Sequence, residues 1–423
     1  MDNKTNLWHQ ADTELNYPQL TQELHADVLV VGAGFSGLST ALHLARKGVD
    51  VVVLEAQQIG FGASGRNVGL TNAGLWIMPQ QAEQHLGTEK GRALNQLLID
   101  APLYVQQLIE EQQIDCDYSA KGTLHLAHKA SALDYLAQRA EQLSSYGAQL
   151  QLLDADDTFN RTRAKGYYGA LLDNRAGTLQ PLKYCRALAQ LATAEGVRIF
   201  TDSAVTGLQK SADKVQAKTL QGKLTAEKIV LATNAYEDKL SQNRGYYTPL
   251  YFCQLASAPL SAQQRQQCLP DNNGCWDTGA VMRSFRTDAA GRLIVGTVGD
   301  IHSGDAGHFK RWSQHVVANT FPEIGALEYR YAWSGRIAKS HNNIPQLLEI
   351  EDNIVQIMGY SGRGIAGATV CGRELAKYLN GEISQKQLAI PFNKAQKISF
   401  NQLRAVAYEL GSQLSHLSDH MLR

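Results

Sequence analysis

The sequence predicts an α/β chain, α+β overall, in which a parallel-sheet nucleotide-type domain, discontinuous in sequence, is interleaved with an antiparallel-sheet domain. Strand, glycine turn and helix follow one another near both ends, in "VLVVGAGFSGLSTALHLA" and in "IVQIMGYSGRGIAGATVCGRELAKYLNG". Between them, from about Pro249 to Tyr331, short strands such as "RSFRT" and "RLIVGT" recur at the spacing of an antiparallel sheet. The 423 residues are 44% hydrophobic and 19% charged, which suits a globular protein with a sizeable core.

In chain order, residues 1–24 read as a polar arm. Residues 27–31 form a strand, 35–47 a helix closed by Gly48, and 51–55 a second strand, together a βαβ unit. Leu38, Ala41, Leu42 and Ala45 recur at three- and four-residue steps and give that helix a face for covering a sheet. Helical periodicity dominates 80–114 and 130–147. "GTLHLAH" (122–128) alternates like a half-exposed strand, and "KIVLATNAY" (228–236) reads as a buried strand running into a turn. The last helix of the glycine-turn pattern spans about 364–379. The expected division is nucleotide domain at 25–114, 152–245 and 331–395, second domain at 115–151 and 246–330, and a helical tail at 396–423.

Lys+Arg and Asp+Glu both number 40, so no net field draws the chain to nucleic acid or anionic membrane. The six cysteines show no CxxC and no regular spacing, which reads as reduced thiols in a cytosolic protein rather than a disulfide or zinc framework. The N-terminus lacks the apolar core of a signal peptide, and the most apolar run contains three glycines and is no membrane span. The tail "NQLRAVAYELGSQLSHLSDHMLR" is amphipathic, but Gly411 and its mixed charge favour packing on its own domain over a membrane.

The chemistry begins at Gly32-Ala33-Gly34-Phe35-Ser36-Gly37, a GxGxxG between strand and helix. Gly32 permits the tight turn, Gly34 lets a pyrophosphate approach the backbone, and Gly37 lets the helix pack on the strand. The helix N-terminus offers free N–H groups and about half a positive charge to phosphates. Glu55, at the end of the next strand, stands where a carboxylate accepts ribose hydroxyls, and Ala56 after it disfavours a 2′-phosphate. "GFGASGRNVG" (60–69) is too poor in apolar residues for core and too rich in glycine for a helix. Its bare backbone with Ser64, Arg66 and Asn67 suits phosphate oxygens and a polyhydroxy linker.

"DVLVVGAGFSGLSTALHLARKGVDVVVLEA", "IGFGASGRNVG", "GALLDNRAGTLQPLKY", "YAWSGRIAKSHNNIPQLL" and "MGYSGRGIAGATVCGRELAKYLNG" stand in an order that resembles the FAD-dependent D-amino acid oxidase superfamily. Within it the chain is similar to the gamma-glutamylputrescine oxidase-like branch of bacterial amine and amino-acid oxidases. That resemblance implies FAD spanning a discontinuous Rossmann-type domain, with an antiparallel substrate domain over the flavin ring. It implies cofactor contacts from Gly32, Gly34, Phe35, Ser36, Gly37, Glu55 and Ala56, and from Ala63, Ser64, Arg66, Asn67 and Val68. Val205 would meet the adenine side through its backbone, and Gly362, Gly364 and Ile365 the flavin. The superfamily often has histidine where this chain has Arg363, and a fixed cation there would favour anionic reduced flavin if it points inward.

Covalent attachment in the superfamily uses a histidine or cysteine beside the isoalloxazine. None of these loops supplies one at an obvious position, so dissociable FAD is expected. No metal is expected either, because the cofactor carries the hard chemistry. The resemblance further implies a small-molecule amine or amino acid as substrate, hydride transfer to flavin, and O2 as acceptor, yielding H2O2, ammonia and an aldehyde or keto acid. A dehydrogenase passing electrons to a quinone or carrier protein is the alternative. An amine of pKa about 10 is only ~0.1% neutral at pH 7, so an apolar pocket would help it give up hydride. Arg286 is a candidate anchor for a substrate carboxylate, with an arginine paired at the sheet edge as the other possibility. Trp333, Tyr251 and Gln254 are candidates for the cavity wall.

Overall fold

The computed structural model describes residues 5–10, 15–211, 213–236, 245–301 and 306–421. Its elements begin with α1 (Leu7–Gln10), β1 (Glu23–Val31), α2 (Phe35–Ala45) and β2 (Val51–Leu54). Three helices follow, α3 (Pro79–Leu86), α4 (Thr88–Ile99) and α5 (Ala101–Glu111), then β3 (Thr123–Leu126), α6 (Ala130–Ser144), β4 (Leu150–Leu153), α7 (Ala155–Thr162) and β5 (Ala170–Asp173). Next come α8 (Pro181–Ala194), β6 (Arg198–Phe200), β7 (Gly207–Ser211), β8 (Lys214–Lys218) and β9 (Lys223–Leu231). The middle of the chain holds β10 (Thr248–Pro259), α9 (Ala262–Gln266), β11 (Gly274–Asp277), β12 (Arg283–Thr287), β13 (Arg292–Val298), α10 (Ala306–Thr320) and β14 (Tyr329–Lys339). The chain closes with β15 (Gln346–Glu351), β16 (Ile354–Met358), α11 (Ile365–Leu379), β17 (Phe392–Lys394) and α12 (Asn401–Met421).

These strands form two sheets. The first runs β17-β15-β16-β9-β1-β2-β6, with the β7–β8 hairpin paired to β9. Its centre, β16-β9-β1-β2-β6, is parallel throughout. Both faces of β1 and β2 are covered, which is why "VLVV" and "VVVL" are continuous apolar runs instead of alternating ones. One face packs on α2, α8 and α11 in the largest core cluster, and Leu38, Ala41 and Leu42 of α2 are fully buried there. Burial of the two leucine side chains stabilises the layer by roughly 2 kcal/mol each.

The second sheet runs β14-β10-β13-β12-β11-β3-β5-β4. It is antiparallel except between β11 and β3. Three expectations change here. First, β5 pairs with β3 and β4, although 152–245 was assigned to the nucleotide domain. Second, β14 pairs with β10 along its length, so the return to the first sheet comes at β15 and not at residue 331. Third, all four residues of β3 are buried, because the sheet is covered on both faces.

Parts of both ends are tied to the body. Leu7 and Trp8 are buried among Leu182, Ala256, Ile294 and Trp333, so the arm is an inserted plug and not a polar extension. Helix α12 packs through His416 on Trp312 and Thr297, while Leu403, Val406 and Leu410 remain exposed. Among the described residues no helix is long and apolar enough to cross a membrane.

Candidate functional site

The two glycine turns border one cavity of about 600 Å³ between the sheets. At one end Gly32 holds φ 106°, donates to Leu54 O and would bring a Cβ to 3.1 Å from Ala232 O. The next residue, Ala33, donates its N–H to Glu55 Oε2 at 2.7 Å, and Gln57 N–H reaches Glu55 Oε1 at 3.0 Å. Glu55 is therefore fixed before any ligand arrives, with lone pairs left for hydroxyl donors. Glu55 borders the cavity and is half-buried. That burial raises its pKa, against the backbone N–H bonds that lower it.

Gly34 caps α2 without a side chain, and a Cβ there would lie 2.8 Å from Ser64 Oγ. Ser64 Oγ instead accepts the first helical N–H, from Phe35, at 3.1 Å. Gly37 does not border the cavity. A Cβ on it would lie 2.0 Å from Gly32 O, so its role is to let α2 sit on the turn. The Ser36 hydroxyl shares a 2.7 Å hydrogen bond with Tyr360 OH, joining the two glycine turns directly.

The loop after β2 is held from outside by its carbonyls. Asn6 Nδ2 donates to Gly65 O at 2.8 Å, Trp333 Nε1 to Arg66 O at 2.9 Å, and Trp8 Nε1 to Asn67 O at 2.9 Å. Arg286 Nη1 donates to Val68 O and Gly69 O at 3.1 and 3.0 Å. Five consecutive carbonyls are thus drawn to side-chain donors. Arg66 and Asn67 border the cavity, but their side chains bond within the protein. Arg66 lies over the Phe61 ring and donates to Phe61 O, and the Asn67 amide donates to Ala63 O and Ser64 O.

At the other end Gly362, Gly364 and Ile365 border the cavity, and α11 starts at Ile365 without a side-chain cap. Its first N–H groups therefore face the same space as those of α2. Helices α2 and α11 can approach because Gly372 has no side chain: a Cβ there would stand 2.6 Å from Ser36 O. Arg363 does not line the cavity and is half-buried. Its guanidinium sits 4.7 Å from the Trp76 ring and 5.6 Å from the Trp276 ring and donates to Ala73 O. Burial, with Arg139 nearby, lowers its pKa to about 9.

Between these ends Ala56, Ala63, Val68 and Val205 also border the cavity. The remaining wall comes from the second sheet: Leu250, Phe252, Gln254, Trp276, Ser284 and Val298, with Trp76 from the loop before α3. None of these seven side chains is charged, but Arg336 and Lys339 of β14 border the cavity as well. Gln254 is the one substrate candidate from the sequence that lies here. Tyr251 is on the opposite face of β10, Trp333 is fully buried against Trp8, and Arg286 borders a separate space of about 110 Å³. Arg286 also donates to Leu179 O at 2.7 Å, so its cation is spent on carbonyls, which removes it as a carboxylate anchor. Sequence reasoning missed Trp76, Trp276, Phe252 and Ser284. "GLWIM" and "GCWD" show the tryptophans as isolated aromatics, but only pairing places them together.

Two helix N-termini with glycine at the cap position, a pre-bonded carboxylate and glycine-lined walls along one cavity fit an extended dinucleotide such as FAD. Among the described residues no histidine or cysteine borders it.

The family model described as FAD dependent oxidoreductase (DAO) matches residues 27–378. The chain is 31% identical to gamma-glutamylputrescine oxidoreductase of Escherichia coli (strain K12), over 94% of this chain and 95% of that protein. It is also 31% identical to the probable oxidoreductase OrdL of Haemophilus influenzae, over 87% and 86% respectively. The crystal structure of glycine oxidase from Geobacillus kaustophilus matches with a TM-score of 0.71 at 20% identity, over 86% of this chain and 96% of that one. That last likeness is one of fold.

Proposed function

The chain belongs to the DAO family of FAD-dependent oxidoreductases, and from that premise we propose that it oxidises a small primary amine or amino acid at the carbon bearing nitrogen. The observation that carries this reading is the single cavity joining Gly32 and Gly34 to Gly362 and Gly364 and continuing onto an aromatic patch of Trp76, Trp276 and Phe252. Glu55 and the start of α2 would hold the ADP half, and the Gly362–Gly364 turn with the start of α11 would meet the ring half. The absence of histidine and cysteine from the lining supports dissociable cofactor.

FAD, when bound, supplies the hydride acceptor. The protein's part is to bind, orient and desolvate. The aromatic patch, with the cationic residues Arg336 and Lys339 also on the lining, disfavours an ammonium ion, so a bound amine is shifted toward its neutral form. The first N–H groups of α11 would offer positive potential to a bound ring, favouring the negative charge it carries when reduced. With O2 as acceptor the balance is amine, O2 and water to aldehyde or keto acid, ammonia and H2O2.

The test is anaerobic. The purified yellow protein is mixed with a panel of amines and both enantiomers of amino acids, and bleaching of the flavin band identifies the donor. Stoichiometric peroxide in air supports the oxidase. Bleaching without peroxide would transfer the reading to a dehydrogenase with another acceptor, and failure of every amine and amino acid to bleach would refute it.

A further inference from the structure

On the cavity face of the second sheet β10, β13 and β12 lie side by side. Gln254 pairs with Gly296 and Gly296 with Ser284, so the three stand abreast. Gly296 has no side chain, so the tips of its neighbours converge above it and fill that space; the junction they make is the notch. A Cβ there would lie 2.4 Å from Gln254 Oε1, 2.5 Å from Ser284 Oγ and 2.7 Å from Phe252 Cε1. Both oxygens therefore border the same point. Gln254 and Ser284 are 1% and 0% exposed, and neither oxygen has a hydrogen-bond partner among the described residues. Buried polar atoms are ordinarily satisfied because stranding one is destabilising. Two such oxygens on a cavity wall mark a place where a ligand supplies the missing donors.

We propose that a nitrogen of the substrate, meeting this junction from the cavity side, gives its N–H groups to Gln254 Oε1 and Ser284 Oγ. The assignment rests on the amine-oxidation reading above. A neutral primary amine has two N–H donors and one lone pair, matching two acceptors and leaving the lone pair free. A carboxylate has no donor to offer and would meet the amide oxygen with like partial charge. The indole N–H groups of Trp76 and Trp276, also without partners, are donors and complement an acceptor elsewhere on the ligand. The seated nitrogen is either the one being oxidised or a second one along the substrate, and the experiment separates the two.

FAD-loaded enzyme and its Ser284→Ala, Gln254→Leu and Gln254→Glu variants are titrated with tert-butylamine, followed by flavin absorbance. This probe has N–H donors but no hydrogen on the carbon bearing nitrogen, so it binds without being oxidised. A saturable change is expected in the wild type. Ser284→Ala and Gln254→Leu should each weaken it about tenfold, the effect of one lost hydrogen bond. Gln254→Glu should strengthen it, as an oxygen facing the notch requires. FAD content should stay constant, and tetramethylammonium, which has no N–H, should not distinguish the variants. Unchanged affinity for tert-butylamine in both weakening variants, or no saturable change in the wild type, would overturn the assignment.

With an oxidisable amine, a shifted pH profile of anaerobic flavin reduction in Ser284→Ala assigns the seat to the reacting nitrogen. A raised KM with an unshifted profile assigns it to a second nitrogen. If no amine bleaches the wild type, the functional reading fails. If amines bleach it and KM is unmoved in both weakening variants, only the notch fails.

Discussion

Trp8→Phe isolates what the N-terminal arm contributes. Trp8 is 1% exposed, meets Trp333 edge to face at 5.7 Å and gives its indole N–H to Asn67 O at 2.9 Å. Phenylalanine keeps most of the ring packing and loses the donor, stranding a part-buried carbonyl. The cost is about 1–2 kcal/mol. On an unfolding entropy of about 2.1 cal/mol/K per residue, 423 residues convert this into a fall of only ~1–2 °C in Tm. If the carbonyl anchors shape the cofactor loop, the same energy reappears in FAD affinity as a loss of about five- to thirtyfold. Differential scanning fluorimetry of FAD-free and loaded protein, with FAD affinity from fluorescence quenching, separates the two. Trp8→Ala, which empties the space as well, should cost about 3–5 kcal/mol. A Trp8→Phe protein with wild-type melting and wild-type FAD affinity would refute the anchoring role.

Three further outcomes follow from the geometry. The folded-state pKa of Glu55 is raised by burial, so its contribution to FAD-free stability is present at low pH and lost as pH rises through that pKa. Glu55→Gln, whose Nε2 would face one of the N–H donors of Ala33 and Gln57, should flatten the pH dependence of FAD-free melting and weaken FAD binding, read by melting curves against pH and by FAD titration. Gly37→Ala would set a Cβ 2.0 Å from Gly32 O, costing about 3 kcal/mol or more, whereas Gly207→Ala meets nothing within 4 Å and should stay within about 0.5 kcal/mol of wild type; urea denaturation measures both. Arg286→Met should destabilise by about 3 kcal/mol or more, because it releases carbonyls from a buried cation. The ratio of kcat/KM for amino acids to that for amines should not move, which steady-state assays of the soluble fraction check.

The first sheet was legible because each of its signals is local. Continuous apolar strands, a glycine with positive φ, a periodic helix and a carboxylate at the next strand end all lie within residues 27–55, and the cavity gathers them as that spacing implies. The second turn, at 360–364, was legible for the same reason. Arg66 and Asn67 illustrate what spacing cannot carry. Their placement beside the cavity follows from the loop, but their side chains bond to Phe61 O, Ala63 O and Ser64 O, and composition does not show which way a side chain turns. The boundaries at β5 and β14 were misplaced because strand partnership is non-local, so "ALLD" and "YAWSGRIAK" fit either sheet on local pattern.

The substrate wall was the least legible part, and the cause is the way one sheet face is divided. Strands β10, β13 and β12 turn a single face toward the first sheet. Leu250, Phe252, Gln254, Val298 and Ser284 on that face border the cavity. Further along the same strands, Ala256, Ile294 and Arg286 lie under the arm, with Trp8 packed on Trp333. The face is continuous in alternation and discontinuous in role, because a segment more than two hundred residues away in sequence fills one end of it. A reading based on period two finds the correct face and cannot say which half is covered. That explains why Gln254 borders the cavity while Arg286 and Trp333, equally plausible by pattern, lie under the plug. The donors of Trp8, Trp333 and Arg286 along that line also hold the loop after β2, so the inserted segment and the strands that it covers together fix the backbone that borders the pocket.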